Sequence, residues 1–205
     1  MSEELKKYQY DKNRISILDA KDVISCNDTP TVAIRQMKES SLVKSLELLH
    51  SDESVKALVS IGSTGAVLAG AVMKVGRIKG VKRPAFCPIL PTMNKSIVGV
   101  CDSGANVDCE PYYLQQFALM GTLYMQKCYN IEKPRVALLN IGTEEEKGDQ
   151  LRKETYQLLK NSSSINFVGN MESRDLLSGN YDLVVCDGFS GNVLIKSTEG
   201  TALEL

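Results

Sequence analysis

Val136-Ala-Leu-Leu-Asn140-Ile-Gly-Thr-Glu-Glu-Glu-Lys147-Gly148 joins a run of consecutive apolar residues to a polar, glycine-bearing loop, and a helical pattern follows over residues 149–160. Apolar residues on consecutive rather than alternate positions mark a strand buried on both faces, as in a parallel sheet covered by helices. Asp182-Leu-Val-Val-Cys-Asp187 repeats the pattern and runs into Gly-Phe-Ser-Gly-Asn192. Working outward, strands are predicted at residues 15–18, 55–61, 97–102, 136–141, 165–168 and 183–186. Helices are predicted at 30–38, 42–49, 66–75, 112–128, 149–160 and from 193 onward. Such alternation predicts an α/β fold, an open and largely parallel sheet with helices on both faces. No linker or repeat divides residues 1–205, so they read as a single domain. Both ends read as unfinished, which makes that domain incomplete.

The 205 residues are 43% apolar and 24% charged, an ordinary globular composition. With 24 basic and 25 acidic residues and a net charge of −1, there is no global attraction to nucleic acid. The chain shows no membrane-span run and no signal-peptide core, so it reads as cytoplasmic. Six cysteines without a Cys-x-x-Cys, beside the single histidine His50, argue for free thiols and against a closed zinc site. His50 sits at the end of a helical stretch and reads as a cap, so Ser-His-Asp and Cys-His catalysis are set aside.

Polar loops follow four predicted strands, and in an open parallel sheet that edge is where ligands bind. Gly62, Ser63, Thr64 and Gly65 form a strand-to-helix turn suited to an anion, with Ser63 or Thr64 as helix cap. The turn is neither a P-loop nor a dinucleotide fingerprint. In the loop after Asn140, that amide is a candidate oxyanion donor and Lys147 a phosphate partner, against the alternative of a solvated, self-paired turn. Gly188 and Gly191 are read as bracketing an exposed turn that aims Asp187 and Asn192 outward, and Asp102 and Asn106 lie in a similar loop. Lys74, Arg77, Lys79, Lys82 and Arg83 form a block without acidic residues, suited to an acidic protein or to a solvated helix end.

In their order along the chain, DTPTVAIRQMKESSL, VSIGSTGAVLAGA, GRIKGVKRPA, DSGANVD, QFALMGTLY, KPRVALLNIGTEEEKG, FVGNMESRD and DLVVCDGFSGNVLIKSTEG resemble the PlsX-type phosphate acyltransferases. The resemblance covers nearly the whole chain. It implies an isocitrate-dehydrogenase/phosphotransacetylase-like fold, homodimers, no metal or nucleotide cofactor, and peripheral membrane association. The implied reaction is acyl–acyl carrier protein plus inorganic phosphate to acyl phosphate and free carrier protein, in phospholipid synthesis. The family's opening strand and its C-terminal portion are absent here, and Ile-Gly-Ser-Thr-Gly stands where the family has Ala-Gly-Asn-Thr-Gly. On this reading the amides of the Gly62 to Gly65 turn and Lys147 hold phosphate. Asn140 or Asn192 donates to the carbonyl oxygen, and Asp187 or Glu145 orients the donors. The basic block receives the carrier protein. The alternatives are a coenzyme-A-dependent phosphate acetyl- or butyryltransferase and a non-catalytic fragment that binds carrier protein. A nicotinamide oxidoreductase fits least.

Overall fold

The computed structural model describes residues 2–204, which fall into two compact units that divide between Gly76 and Arg77. The sequence gives no composition break at that boundary.

The N-terminal unit is helical. It holds α1 (Ser2–Leu5), α2 (Pro30–Gln36), α3 (Ser41–Ser51) and α4 (Thr64–Gly70), with α4 continuing into a π-turn at Ala71–Val75. Pro30 opens α2, where its missing N–H costs nothing. Ser40 caps α3 by accepting from the Val43 N–H. Ile34, Val43 and Ala66 form a small core. The strands predicted at 15–18 and 55–61 do not form, and Val59 and Ile61 stand 95% and 104% exposed. Their apolar runs lack neighbouring strands to accept and donate backbone hydrogen bonds; among the described residues the unit has one isolated bridge, Asp22 to Ser40.

The C-terminal unit holds the sheet. β1 (Ile89–Pro91), β2 (Ile97–Cys101), β3 (Val136–Asn140), β4 (Phe167–Glu172) and β5 (Leu183–Val185) lie in the order β1-β2-β5-β3-β4. β1 is antiparallel and the other pairings are parallel. α5 (Pro111–Tyr129) follows β2, α6 (Gln150–Lys160) follows β3, and α7 (Gly188–Glu204) follows β5. Consecutive apolar residues serve opposite faces. Val136, Leu138, Leu183 and Val185 pack with Leu114, Phe117 and Leu159 of α5 and α6. Ala137, Leu139 and Val184 pack with Ile195 of α7 on the other face. Each fully buried aliphatic side chain contributes about 1.5–3 kcal/mol. Gly121 lets α5 lie close, since a Cβ there would meet Leu183 Cδ2 at 2.6 Å.

Three details differ from the sequence reading. β4 starts at Phe167 and runs to Glu172, further than the predicted 165–168, because its second half carries polar Asn170 and Glu172. β1 is a further strand beyond those predicted, and its Pro91 suits an edge. α7 starts at Gly188 rather than at 193.

Candidate functional site

Parallel pairing brings the C-terminal ends of β2, β5, β3 and β4 to one edge, with Cys101 opposite Val185, Val185 opposite Leu138, and Asn140 opposite Glu172. The residues that follow form the candidate site.

Asp187 is buried, contrary to the outward-facing turn read from the sequence. Gly188 and Gly191 are buried with it, because the first turn of α7 lies against the loop after β2. A Cβ on Gly191 would meet the Asp102 carbonyl oxygen at 1.9 Å, and the Gly188 N–H donates to the Asn106 carbonyl at 2.7 Å. The Asp187 carboxylate accepts from the Ser190 N–H and from its hydroxyl, both at 2.8 Å. It also forms a tight ion pair with Arg152 of α6, whose guanidinium reaches Ser190 Oγ at 2.8 Å and Asp149 at 2.8 Å. Arg152 lies in a helix whose pattern reads as a solvated surface, so nothing in the sequence marks it as a partner of Asp187.

A cavity of about 650 Å³ opens beside this cluster. Leu139, Ile141, Phe189, Val193 and Leu194 give it an apolar wall, while Asn140, Arg152 and Ser190 line it with polar groups. An apolar chain with an electron-rich polar end matches that division.

Two asparagines shape the loop between β3 and α6. Asn140 Nδ2 donates to the Lys147 carbonyl at 3.0 Å, while its Oδ1 accepts from the Ile141 N–H at 2.8 Å. Asn170 of β4, which the sequence reading did not single out, donates to the Glu144 carbonyl at 2.7 Å; its own buried Oδ1 has no partner. Gly148, at φ +90°, passes where a side chain would strike Asn140. Lys147 is exposed, and its ammonium makes no ion pair among the described residues. Glu145 turns to α6, accepting from Lys160 at 2.8 Å and Gln157 at 2.6 Å. The hydrogen bond from Lys160, then that from Gln157, holds its carboxyl below the usual range.

Asp102 is fully buried and organises the neighbouring loop, accepting from the N–H groups of Phe86, Ala105 and Asn106 and from the Asn106 amide. Asn192, in the first turns of α7, is half-buried; its Nδ2 lies 2.9 Å from where a Cβ on Gly104 would be. Asn140 thus ends β3 and borders the cavity, Lys147 stands in the loop after β3, Asp187 follows β5, Asn192 of α7 faces Gly104, and Glu145 is held on the α6 side.

The other candidates have different settings. Gly62, Ser63, Thr64 and Gly65 belong to the N-terminal unit, where Ser63 Oγ caps α4 by accepting from the Ala66 N–H at 3.4 Å. Gly62 and Ser63 border a cavity of about 450 Å³ that Ser40, Ser41 and Ser45 also line. Lys74 pairs with Glu47 at 2.6 Å in that unit. Arg77, Lys79, Lys82 and Arg83 belong to the C-terminal unit and are exposed. Arg77 donates to the Lys82 carbonyl, Gln116 of α5 bridges the Lys82 N–H and the Gly80 carbonyl, and Arg83 stacks 5.6 Å from the Tyr113 ring centroid. The segment is therefore held along the start of α5. Among the described residues no cluster of His, Cys, Asp or Glu could hold a metal ion, and no helix is long and apolar enough to cross a membrane.

The sequence is similar to a phosphate acyltransferase of Clostridium acetobutylicum, 52% identical over 205 residues, which covers all of this chain and 61% of that one. It is 50% identical over 198 residues to a phosphate acyltransferase of Dictyoglomus thermophilum, covering 97% of this chain and 59% of that one. The chain thus spans about three-fifths of these relatives' length. Two solved structures share the fold. A phosphotransacetylase from Streptococcus pyogenes matches with TM-score 0.53 at 18% identity, covering 70% of this chain and 49% of that one. A branched-chain phosphotransacylase from Enterococcus faecalis matches with TM-score 0.54 at 15% identity, covering 85% and 66%. The sequence model of the fatty acid synthesis protein family matches residues 1–205, and the chain belongs to that family, the PlsX-type phosphate acyltransferases that its loop motifs resemble.

Proposed function

We propose that the protein containing this chain transfers an acyl group from a thioester to inorganic phosphate, with acyl carrier protein as the thioester's carrier. The observation that carries this reading is the sheet edge, where a cavity with an apolar wall meets Asn140, Arg152 and Ser190 and the loop that presents Lys147. A phosphate oxygen attacks the thioester carbonyl carbon, the carbonyl oxygen becomes an oxyanion, and the carbon–sulfur bond breaks to release a thiolate that takes up a proton. The nucleophile is the substrate's own, so the protein's task is to hold anions and stabilise charge. Lys147 neutralises phosphate, and Asn140 or Asn192 donates to the oxyanion. Asp187 orients Arg152 and Ser190, which face the cavity. Glu145, engaged with Lys160, fixes the loop from behind. The turn at Gly62, Ser63, Thr64 and Gly65 is proposed as an anion-binding element of the N-terminal unit.

Hydroxylamine trapping of acyl phosphate, with full-length protein, acyl carrier protein thioester and phosphate, tests the reaction. Lys147→Ala is expected to lower kcat/KM about 10²-fold, and a value within a few-fold of the parent removes Lys147 from the role. The basic residues 77–83 dock the acidic carrier. The double variant Arg77→Glu, Arg83→Glu should weaken carrier affinity about tenfold at low salt and less at high salt.

A second reading uses a coenzyme A thioester, and the phosphotransacetylase-like fold favours it. Comparing kcat/KM for the same acyl group on coenzyme A and on carrier protein separates the two. We also propose that the full-length protein is a homodimer that works at the membrane surface, to be measured by light scattering and vesicle flotation.

A further inference from the structure

The first hairpin of the C-terminal unit carries two cysteines that the proposed chemistry does not use. β1 and β2 pair with Ile89 opposite Gly99, and the Val100 N–H donates to the Pro88 carbonyl at 3.1 Å. That bond carries the pairing one residue past β1, and the same register puts Cys87 across from Cys101. Cys87 leans over β2: its Sγ lies 3.1 Å from where a Cβ on Gly99 would be, so the glycine makes room for it. Both cysteines border one pocket of about 330 Å³, with Met120, Gly121 and Tyr124 of α5 as its far wall. Cys101 is buried and Cys87 partly exposed, so a small reagent meets Cys87 first.

The two thiols are electronically unequal. A hydrogen bond from Cys101 holds the Cys87 thiol below the usual range, and that bond, then burial, pushes Cys101 well above it. Burial also pushes Cys109 up to about 11 and Cys186 well above the usual range, which keeps those thiols protonated.

We propose that Cys87 and Cys101 form an oxidisable dithiol that hydrogen peroxide closes to a disulfide. The Cys87 thiolate attacks a peroxide oxygen and the O–O bond breaks, leaving Cys87 as a sulfenic acid and one water. Cys101 sulfur then attacks the Cys87 sulfur, the S–S bond forms, and the hydroxyl leaves as a second water. Two thiols thus give two electrons and two protons to one peroxide. Residues facing each other on antiparallel strands have Cα atoms roughly 4.5–5.5 Å apart, inside the roughly 4.4–6.8 Å that a disulfide spans. Closure would bolt the edge strand to Cys101, next to Asp102, which organises the loop at the sheet's C-terminal edge.

The test treats reduced full-length protein with hydrogen peroxide, blocks remaining thiols with maleimide and maps the digest by mass spectrometry. A peptide joining Cys87 to Cys101 is expected, about 2 Da lighter than the two thiol peptides together and split by dithiothreitol. It should form about tenfold faster than any other cysteine cross-link. Cys101→Ala should leave Cys87 as a sulfenic acid that dimedone captures, and Cys87→Ser should leave Cys101 open to maleimide after denaturation. Recovery of both cysteines unlinked, over-oxidation of Cys87 beside an intact Cys101 in the parent, or preferential linkage to another cysteine overturns the proposal.

Discussion

Two stretches with closely similar apolar patterns have different fates. Val136-Ala-Leu-Leu-Asn140 is β3, buried along its length between β5 and β4. Val55-Lys-Ala-Leu-Val-Ser-Ile61 forms no strand and leaves Val59 and Ile61 in solvent. The difference lies in what flanks each run. β3 exchanges backbone hydrogen bonds on both sides and meets helices above and below, whereas residues 55–61 have neither among the described residues. An apolar run is a licence to become a central strand, and its neighbours decide whether that happens.

The strongest way to break this comparison is to truncate equivalent positions. Leu138→Ala empties a fully buried site on the face of the sheet that α5 and α6 cover and should cost about 2–5 kcal/mol in urea unfolding of the full-length protein. Val59→Ala should change stability by no more than about 0.5 kcal/mol. Similar costs at the two positions would mean that residues 55–61 are packed in solution as β3 is.

A second comparison is between glycines of α7. Gly191→Ala drives a Cβ into the Asp102 backbone and should cost about 3 kcal/mol, because neither α7 nor the loop can yield cheaply. Gly200→Ala, with open space around it, should gain up to about 1 kcal/mol. A tolerated Gly191→Ala would show that α7 does not depend on close contact with the loop after β2.

These glycines also show what the sequence could and could not display. Gly188 and Gly191 were visible as residues, but glycines placed for a tight contact look the same as glycines placed for a turn. The sequence therefore predicts an exposed Asp187 and a late start for α7. β2, β3 and β5 were legible because burial on both faces writes consecutive apolar residues. β4 was legible only in its first residues, since Asn170 and Glu172 face the loop and the site edge. Among the candidate site residues, Asn140, Lys147, Asp187 and Asn192 stand out in the sequence because glycines flank them. Arg152 and Asn170 do not, since a charged residue on an amphipathic helix and an amide in a strand acquire their roles from partners far away in sequence. Arg152 meets Asp187 across 35 positions and Asn170 meets Glu144 across 26.

The ion pair at the other end of the sheet should show a smaller effect with a defined pH signature. Asp182 accepts from the Arg135 N–H at 2.7 Å and from its guanidinium at 2.9 and 2.8 Å. Burial alone would raise this carboxyl, yet the bonds from Arg135 outweigh it and hold it below the ordinary aspartate range. A lowered folded-state pKa means the stabilisation is fully present above about pH 4, the unfolded value, and is lost as pH falls through the folded one. Because Arg135 is 41% exposed, solvent screening reduces the pair's worth, and Asp182→Asn should cost about 1–2 kcal/mol near neutrality. The cost should shrink on acidification; a constant cost would assign it to packing instead.

The smallest contrast lies in the helix caps, one from each unit. Asp149 caps α6 by accepting from the Arg152 N–H at 2.9 Å and also pairs with the Arg152 guanidinium, whereas Ser63 caps α4 through a longer 3.4 Å bond. A short bond to a carboxylate at a helix start is the stronger arrangement, because it satisfies an orphan N–H and also opposes the helix dipole. Asp149→Ala should therefore cost about 1 kcal/mol and Ser63→Ala about 0.5 kcal/mol, both read by urea unfolding. Asp149→Asn keeps the cap while removing the charge, so it should recover most of the stability lost in Asp149→Ala. If it recovers little, the ion pair to Arg152 rather than the cap holds the start of α6, and Asp149 then serves the Arg152–Asp187 cluster more than the helix.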